Sequence, residues 1–403
     1  MKKNLYSALV AVAGGVGLVG APASMAADGL PDGLSISTKF SQNFQDVDSD
    51  LPGGGSGQEH SFEFPRVALD INAQFTPWLS VYTEFTNEQS DFEGATLTND
   101  VVNDLTLINV DLLKASDSAA ADNNSLTLQF GTPVGGLSNY FNASDGALTQ
   151  TNPLIGNHPY RPIDAMTGAK LIGSHNFGGV VKSFSWDAGY YTGAFFPSRG
   201  DDRGESFNLR GKLAFAGGFS AGVGYVDAED NSAFFNSNNG PFNVNGNFNT
   251  HIGVGGGGNP DFTTAAQGWR LEGQWKAPSG MMLEGSKINA WYGEVESDDE
   301  NLTLPSGNTV ESELENWGVL AQAYVVPDTA YLAARYQLVE HTSGNVSNNN
   351  ELDRFQIGGG VWLSDNTLLK AEYFDQSEEA FASSAAGGGE DFDGFGVELS
   401  SSF

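Results

Sequence analysis

Apolar and polar residues alternate along most of this 403-residue chain. In residues 394–403, Phe395, Val397 and Leu399 fall on one side of an extended chain, and Glu398 falls on the other. Strict alternation with large apolar side chains on one side is typical of a β-strand that separates lipid from water. The C-terminal segment is therefore predicted to be a membrane-facing strand.

Segments with the same alternation recur throughout the chain and predict an all-β fold. They predict a transmembrane antiparallel β-barrel of about sixteen strands, with eighteen as the alternative count. The predicted spans are 33–43, 61–74, 78–87, 101–113, 125–131, 168–177, 183–196, 205–216, 219–228, 264–276, 281–296, 312–326, 329–341, 351–363, 366–376 and 392–403.

The connections between these segments alternate in length. Most short ones have turn sequences such as Gly217-Gly218 and Pro327-Asp328, whereas the long ones cover about 44–60, 88–100, 132–167, 197–204, 229–263, 297–311, 342–350 and 377–391. Short periplasmic turns and long extracellular loops are the pattern of outer-membrane barrels. A secreted β-sandwich would also alternate, but its outer faces would be polar, and a β-solenoid would show a fixed repeat period.

The first 26 residues are predicted to be a secretory signal peptide, which leaves residues 27–403 for the barrel. Lys2 and Lys3 precede a short apolar stretch, and small residues stand at the end, at Ser24 and Ala26. The chain has no cysteine, 52 glycines and 46 aromatic residues (27 Phe, 12 Tyr, 7 Trp). A secreted chain of this kind gains nothing from disulfides, so its sheet must stabilise it.

The formal net charge is -32, which argues against binding to nucleic acid. The acidic residues are concentrated in the predicted loops, as in residues 297–300. No cofactor is predicted. The acidic runs could bind calcium through several carboxylates, but they lack the EF-hand spacing, so a solvated surface is the preferred interpretation.

The signal peptide, the alternating connections and a C-terminal strand ending on Phe403 resemble those of Gram-negative outer-membrane porins. The resemblance is to general diffusion porins and covers the mature chain as architecture more than as motif. It implies a water-filled channel in the bacterial outer membrane, in contact with lipid and lipopolysaccharide. It also implies a homotrimer and an assembly signal at Phe403 that the barrel-assembly machinery reads.

The connection at 132–167 is predicted to narrow the pore, because the third long loop of such porins folds into the barrel. It mixes apolar residues, Pro and Gly with only three charges, Asp145, Arg161 and Asp164. That composition is typical of a segment that packs against something. An external lid or a subunit contact is the alternative. The acidic Pro-Glu-Phe-Gly-Gly tract of general porins is absent.

The alternation also predicts which charged side chains line the pore. The candidate pore-lining residues are Lys39, Arg66, Asp70, Glu84, Arg210, Lys212, Arg270, Glu272, Arg335, Arg354 and Lys370. Barrel closure would bring the basic members on the first two strands near those on strands thirteen to fifteen, so one basic wall facing Asp145 or Asp164 is a hypothesis. Solvated wall charges are the alternative for any single residue.

Three other functions remain open at the sequence level. A phosphate- or anion-selective pore could use the basic set, and a sugar-selective pore could use inward aromatics such as Trp78, Tyr82, Tyr191, Tyr324 and Trp362. A non-conducting structural barrel is less favoured. Enzymatic activity is not predicted, because no Gly-x-Ser-x-Gly or His-Glu-x-x-His motif occurs and Ser174 and His175 face opposite sides of a strand.

Overall fold

The computed structural model describes fifteen parts of the chain, and the predicted signal peptide lies outside them. The described residues are 32–51, 55–62, 66–89, 99–140, 150–156, 163–165, 167–193, 205–229, 266–281, 283–297, 302–303, 309–310, 312–343, 350–379 and 391–403.

Sixteen antiparallel strands close into a barrel, and one further strand, β2 (Gly55–Phe62), extends its wall. The barrel strands are β1 (Leu34–Leu51), β3 (Arg66–Thr76), β4 (Leu79–Gln89), β5 (Asn99–Asp111), β6 (Asn124–Gly131), β9 (Thr167–Asn176), β10 (Val181–Gly193), β11 (Ser206–Phe215), β12 (Phe219–Ala228), β13 (Ala266–Lys276), β14 (Lys287–Ser297), β17 (Ser312–Val326), β18 (Ala330–Ser343), β19 (Asn350–Ser364), β20 (Thr367–Glu379) and β21 (Asp391–Ser402). The fold class and strand count predicted from the sequence are confirmed.

Four very short strands lie outside this ring. β7 (Val134–Gly136) pairs with β8 (Ile163–Ala165), and β15 (Leu302–Thr303) pairs with β16 (Thr309–Val310). The ring closes at β1, which pairs with β21 over residues 39–50 and with β3 over residues 34–41.

Several predicted boundaries are wrong. The expected loop at 44–60 is largely strand, because β1 continues to Leu51 and pairs there with β2. The predicted fourth strand ends at Asp111, whose carboxylate accepts a hydrogen bond from the backbone N–H of Lys114 and starts a short helix, α1 (Leu112–Ala115). The predicted eleventh strand begins at Lys287 and not at residue 281, because residues 283–285 form a turn.

The short turns keep the strands in register. Between β11 and β12, Gly217 and Gly218 both have φ of +84°, a conformation that favours glycine. A Cβ on Gly218 would also lie only 1.9 Å from the carbonyl oxygen of Lys276 on the next hairpin.

The two faces of the wall differ in chemistry, as the alternation requires. The outer face exposes large apolar side chains, including Leu271, Leu332 and Phe355. The inner face carries the buried charges, including Arg270 and Arg335. Among the residues described, no helix is both long and apolar enough to span a bilayer.

Candidate functional site

The candidate site is the inner face of the barrel together with the segment at 132–167. Residues that are directly opposite on neighbouring antiparallel strands point to the same side of the sheet. The register pairs Asp70 with Glu84, Asp187 with Arg210 and Lys370 with Glu398. These side chains therefore share the inner face with the other charged residues of the wall.

One cluster of inner charges joins β1, β3 and β4. The ammonium nitrogen of Lys39 lies 3.0 Å from a carboxylate oxygen of Asp70 and 2.6 Å from one of Glu84. The hydroxyl of Tyr82 donates to both carboxylates, at 3.0 and 3.1 Å, respectively. Two carboxylates and one ammonium give the cluster a formal charge of -1.

A second cluster lies on β9, β10 and β11. Both Nε and Nη2 of Arg210 contact the carboxylate of Asp187, at 3.0 and 2.9 Å. The ammonium of Lys170 lies 3.7 Å from the same carboxylate. Asp187 thus compensates two cations that would otherwise repel each other.

Further ion pairs replace the single basic wall expected from the sequence. Arg270 lies 2.9 Å from Glu272, and Lys370 lies 2.7 Å from Glu398. That expectation is therefore wrong for Lys39 and Lys370, whose charges are compensated by neighbouring acids. Such pairing is expected physically, because a buried charge is costly without a partner.

The remaining candidate cations are placed as follows. Arg66 lies on β3 opposite Ser41 and is half-buried. Arg354 is 1% exposed, and its Nε donates to the amide oxygen of Gln376. The ammonium of Lys212 lies 4.5 Å from the ring centre of Tyr140 in segment 132–167, a cation–π contact.

The first described part of segment 132–167 packs against the inner face of β11, β12 and β13. Glu272 accepts hydrogen bonds from the Ser138 hydroxyl at 2.7 Å and from the Asn139 backbone N–H at 2.6 Å. Arg210 donates to the carbonyl oxygen of Ser138 at 2.6 Å. The main chain passes so close to Gly224 that a Cβ there would lie 1.9 Å from the carbonyl oxygen of Leu137.

The second described part contacts the inner face of β18 to β21. Glu372 accepts from the backbone N–H groups of Ile155 and of Gly156, the latter at 3.2 Å. Arg335 donates to the carbonyl oxygen of Gly156, and the Gln356 amide donates to Glu372. An acid and an arginine thus bind the segment at each of two places, which we call the Glu272 clasp and the Glu372 clasp.

An apolar cluster reinforces the Glu372 clasp. Leu154 is 1% exposed and packs with inward side chains of β14, β17, β18 and β20. These are Trp291, Leu320, Tyr331, Ala333 and Leu368, with Tyr324 and Trp362 at the edge. Because an apolar cluster on a polar inner face would otherwise contact water, covering it with the segment is favourable.

Of the three charged residues expected on this segment, Asp145 and Arg161 lie outside the described residues. Asp164 belongs to β8, where its backbone is opposite Gly135, and its side chain is not described. Their role at a constriction stays a prediction.

Sequence reasoning did not single out Lys170 or Lys287 as inward cations. Lys170 contacts Asp187 and donates to the carbonyl oxygen of Val134 at 2.8 Å. Both positions fall on the inner face by register, opposite Gln129 and Lys276, respectively. Alternation within each strand would have indicated them, because Lys170 shares a side with Ser174 on β9, and Lys287 shares a side with Asn289 on β14.

The aromatic residues considered for sugar binding have structural contacts. Tyr82 binds two carboxylates, and the buried Tyr191 donates to Asn208 at 2.6 Å. Tyr324 and Trp362 pack at the edge of the apolar cluster, and Trp78 lies in the turn after β3.

The last residue of the chain lies beside the seam of the barrel. Phe403 exchanges two backbone hydrogen bonds with Thr38 on β1, both at 2.8 Å. Its expected role as an assembly signal stays a prediction.

Acidic residues form a row on the outer face, near the long-loop ends of the strands. Glu294, Glu315, Glu340 and Glu351 are directly opposite one another on β14, β17, β18 and β19.

Within the described part of the chain, no group of acidic or histidine side chains has the arrangement of a metal site. Calcium binding by the loops stays a prediction.

Comparison with solved structures identifies the fold as that of outer-membrane porins. Salmonella typhi OmpF in complex with daunomycin matches with a TM-score of 0.53 and 12% identity, covering 92% of this chain and 97% of that one. A loop-deletion mutant of OmpT, an outer membrane protein of Vibrio cholerae, gives 0.51 and 14%, covering 92% and 100%. Pseudomonas putida OprB gives 0.51 and 12%, covering 92% and 94%.

The sequence comparisons add no closer relative: no family model matches, and no curated protein matches. The fold places the chain in a bacterial outer membrane, which it crosses many times, as expected from the sequence.

Proposed function

We propose that this chain is a general diffusion porin, a water-filled channel for ions and small hydrophilic solutes. The observation that carries the proposal is the position of the described parts of segment 132–167, which bind inward side chains of a closed barrel at two clasps. A segment held inside a barrel narrows its lumen. The ion pairs of the inner face belong in such a wet interior.

Planar-bilayer recording tests this function directly. We expect stepwise, voltage-independent conductance from the purified mature chain. In asymmetric KCl at low ionic strength, the reversal potential should show a modest preference for K⁺. Both the inner cluster of Lys39, Asp70 and Glu84 and the row of outward glutamates near the long loops carry excess negative charge. The preference should shrink at high salt. Absence of channels in repeated insertions would contradict the proposal.

A substrate-selective pore is the second candidate, and the structure favours it less. Tyr191, Tyr324 and Trp362 already pack against or hydrogen-bond to other protein groups, which leaves less of their surface for a sugar.

Enzymatic chemistry is not part of the proposed function. Ser174 bonds to Ser125, whereas His175 lies on the other face near Phe177, so the two do not form a nucleophile–base pair.

We also propose that the channel is a homotrimer, and the outer face supports this. Tyr and Trp side chains anchor a barrel wall at the membrane interfaces. Those that face outward on the described strands are Trp186, Tyr190, Tyr225, Trp269, Trp275, Tyr292, Trp317, Tyr336 and Tyr373, all on β10 to β20. Among the described residues, the strands β1, β3–β6, β9 and β21 carry no outward Tyr or Trp, so we assign this sector to contact with other copies.

A single arginine on each sector tests this assignment. Ile71→Arg on β3 should convert the oligomer to monomers on native gels, because a cation would lie between subunits. Val223→Arg on β12 introduces the same charge on the lipid-facing sector and should leave the oligomer intact. Arginine near the bilayer midplane costs about 2–4 kcal/mol at either place, so only folded protein is compared. An unchanged oligomer in both variants would place the interface elsewhere.

A further inference from the structure

Two lysines are directly opposite each other at the periplasmic end of the inner face. Lys276 ends β13 and Lys287 begins β14, and the two are register partners. Both follow the inward alternation, since Arg270, Glu272 and Gln274 precede Lys276 on the same face. Directly opposed side chains have Cβ atoms roughly 5 Å apart, so the two lysine side chains leave the sheet side by side.

Neither lysine has a compensating acid, unlike the other inward lysines of β1, β9 and β20. Among the described residues, Lys39, Lys170 and Lys370 each pair with a carboxylate at 2.6 to 3.7 Å. Within the same described set, the side chains of Lys276 and Lys287 make no ion pair or hydrogen bond. Like charges directly opposite each other destabilise a sheet, so this arrangement has a cost that an anion would remove.

The inward neighbours of the pair on β13, β14 and β17 are amide side chains. Gln274 and Asn289 are bonded to each other at 2.8 Å one step further inside, and the amide of Gln322 is opposite Lys287. The nearby acid in the turn, Glu284, accepts hydrogen bonds from Ser279 and from the backbone N–H of Gly280. Those bonds lower the pKa of Glu284, so its carboxylate stays ionised within the turn.

We propose that Lys276 and Lys287 form a binding site for polyvalent oxyanions, of the phosphate class, at the periplasmic mouth. Two ammonium groups can each donate to a different oxygen of one phosphate, and the neighbouring amides offer further donors. The site rests on the proposed channel function, because an anion reaches it through the lumen or from the periplasm. It would add positive charge to the lumen at the end where the turns lie.

The test compares the double variant K276Q/K287Q with wild type and with K182Q. Lys182 is exposed on β10 near the turn after β9, so K182Q removes a charge at the same end outside the proposed site. Inorganic phosphate and tripolyphosphate are added to oriented channels in a bilayer. We expect block from the turn side in wild type and K182Q, and about tenfold weaker block in K276Q/K287Q, because two charges are lost.

A binding measurement separates this site from the channel function. ³¹P NMR titration of the folded, detergent-solubilised chain should give saturable line broadening in wild type and K182Q, and a tenfold weaker response in K276Q/K287Q. This result together with absence of conductance would overturn the channel but support the site. Equal binding by all three proteins, or equal loss in K182Q, would overturn the site.

Discussion

Replacing Glu372 with leucine is expected to detach the second part of segment 132–167 from the wall and to destabilise the barrel. Glu372 accepts two backbone N–H groups of the segment and lies beside the buried Arg335, which binds the carbonyl oxygen of the same Gly156. Removing one member of a buried charged pair typically costs about 3–5 kcal/mol. Urea unfolding in detergent should show a loss of this order.

The double variant R335L/E372L separates the cost of leaving Arg335 buried without an acid from the effect of detaching segment 132–167. With both charges replaced by apolar side chains, much of the stability should return, because no uncompensated charge stays buried. The clasp would still be missing, so the altered single-channel conductance and increased current noise of E372L should persist. If the double variant is as unstable as E372L, the loss comes from the missing backbone hydrogen bonds and not from Arg335.

The conducting behaviour of the same variants tests the constriction. The Glu272 clasp stays in place in E372L, so only the region near residues 154–156 can move. A conductance identical to that of wild type, with the stability loss present, would mean that this part of the segment does not border the ion path.

The sequence predicted the barrel well because alternation is a local property of each strand. In residues 394–403 and in β13, the alternation of apolar and polar residues already indicates which side chains face inward. The structure places Glu398, Arg270 and Glu272 inward as expected. The errors at 44–60 and 281–286 concern where single strands begin and end. Five of the eight residues in 44–51 are polar, but the segment still forms strand, because β2 and β21 supply backbone partners that polarity alone does not reveal.

The contacts of segment 132–167 with Glu272 and Glu372 could not be predicted in the same way, because they join residues more than 130 positions apart. Ser138 and Glu272 meet only because the barrel closes, as do Ile155 and Glu372. Alternation indicates that both glutamates face inward. It does not indicate that they accept main-chain N–H groups instead of facing water. The pairing of inward cations with acids is a consequence of the same closure, since Lys39, Asp70 and Glu84 come from three strands.

Gly224→Ala should displace the first part of segment 132–167, whereas Gly273→Ala on the neighbouring strand should not. A Cβ at Gly224 would lie 1.9 Å from the carbonyl oxygen of Leu137, so that main chain must move by more than an ångström. At Gly273 no atom lies within 4 Å of an added Cβ. Both changes replace a strand glycine with the same residue, so their intrinsic backbone effects match.

The displacement should weaken the Glu272 clasp. Ser138 and Asn139 follow Leu137 directly, so their hydrogen bonds to Glu272 and the bond from Arg210 would lengthen. Overpacking of this kind costs about 1–3 kcal/mol, and Gly224→Ala should lose that much in urea unfolding while Gly273→Ala changes little. Conductance should change only in Gly224→Ala. A normal conductance there, with the stability loss present, would show that residues 137–139 lie behind the ion path and act only as a wall.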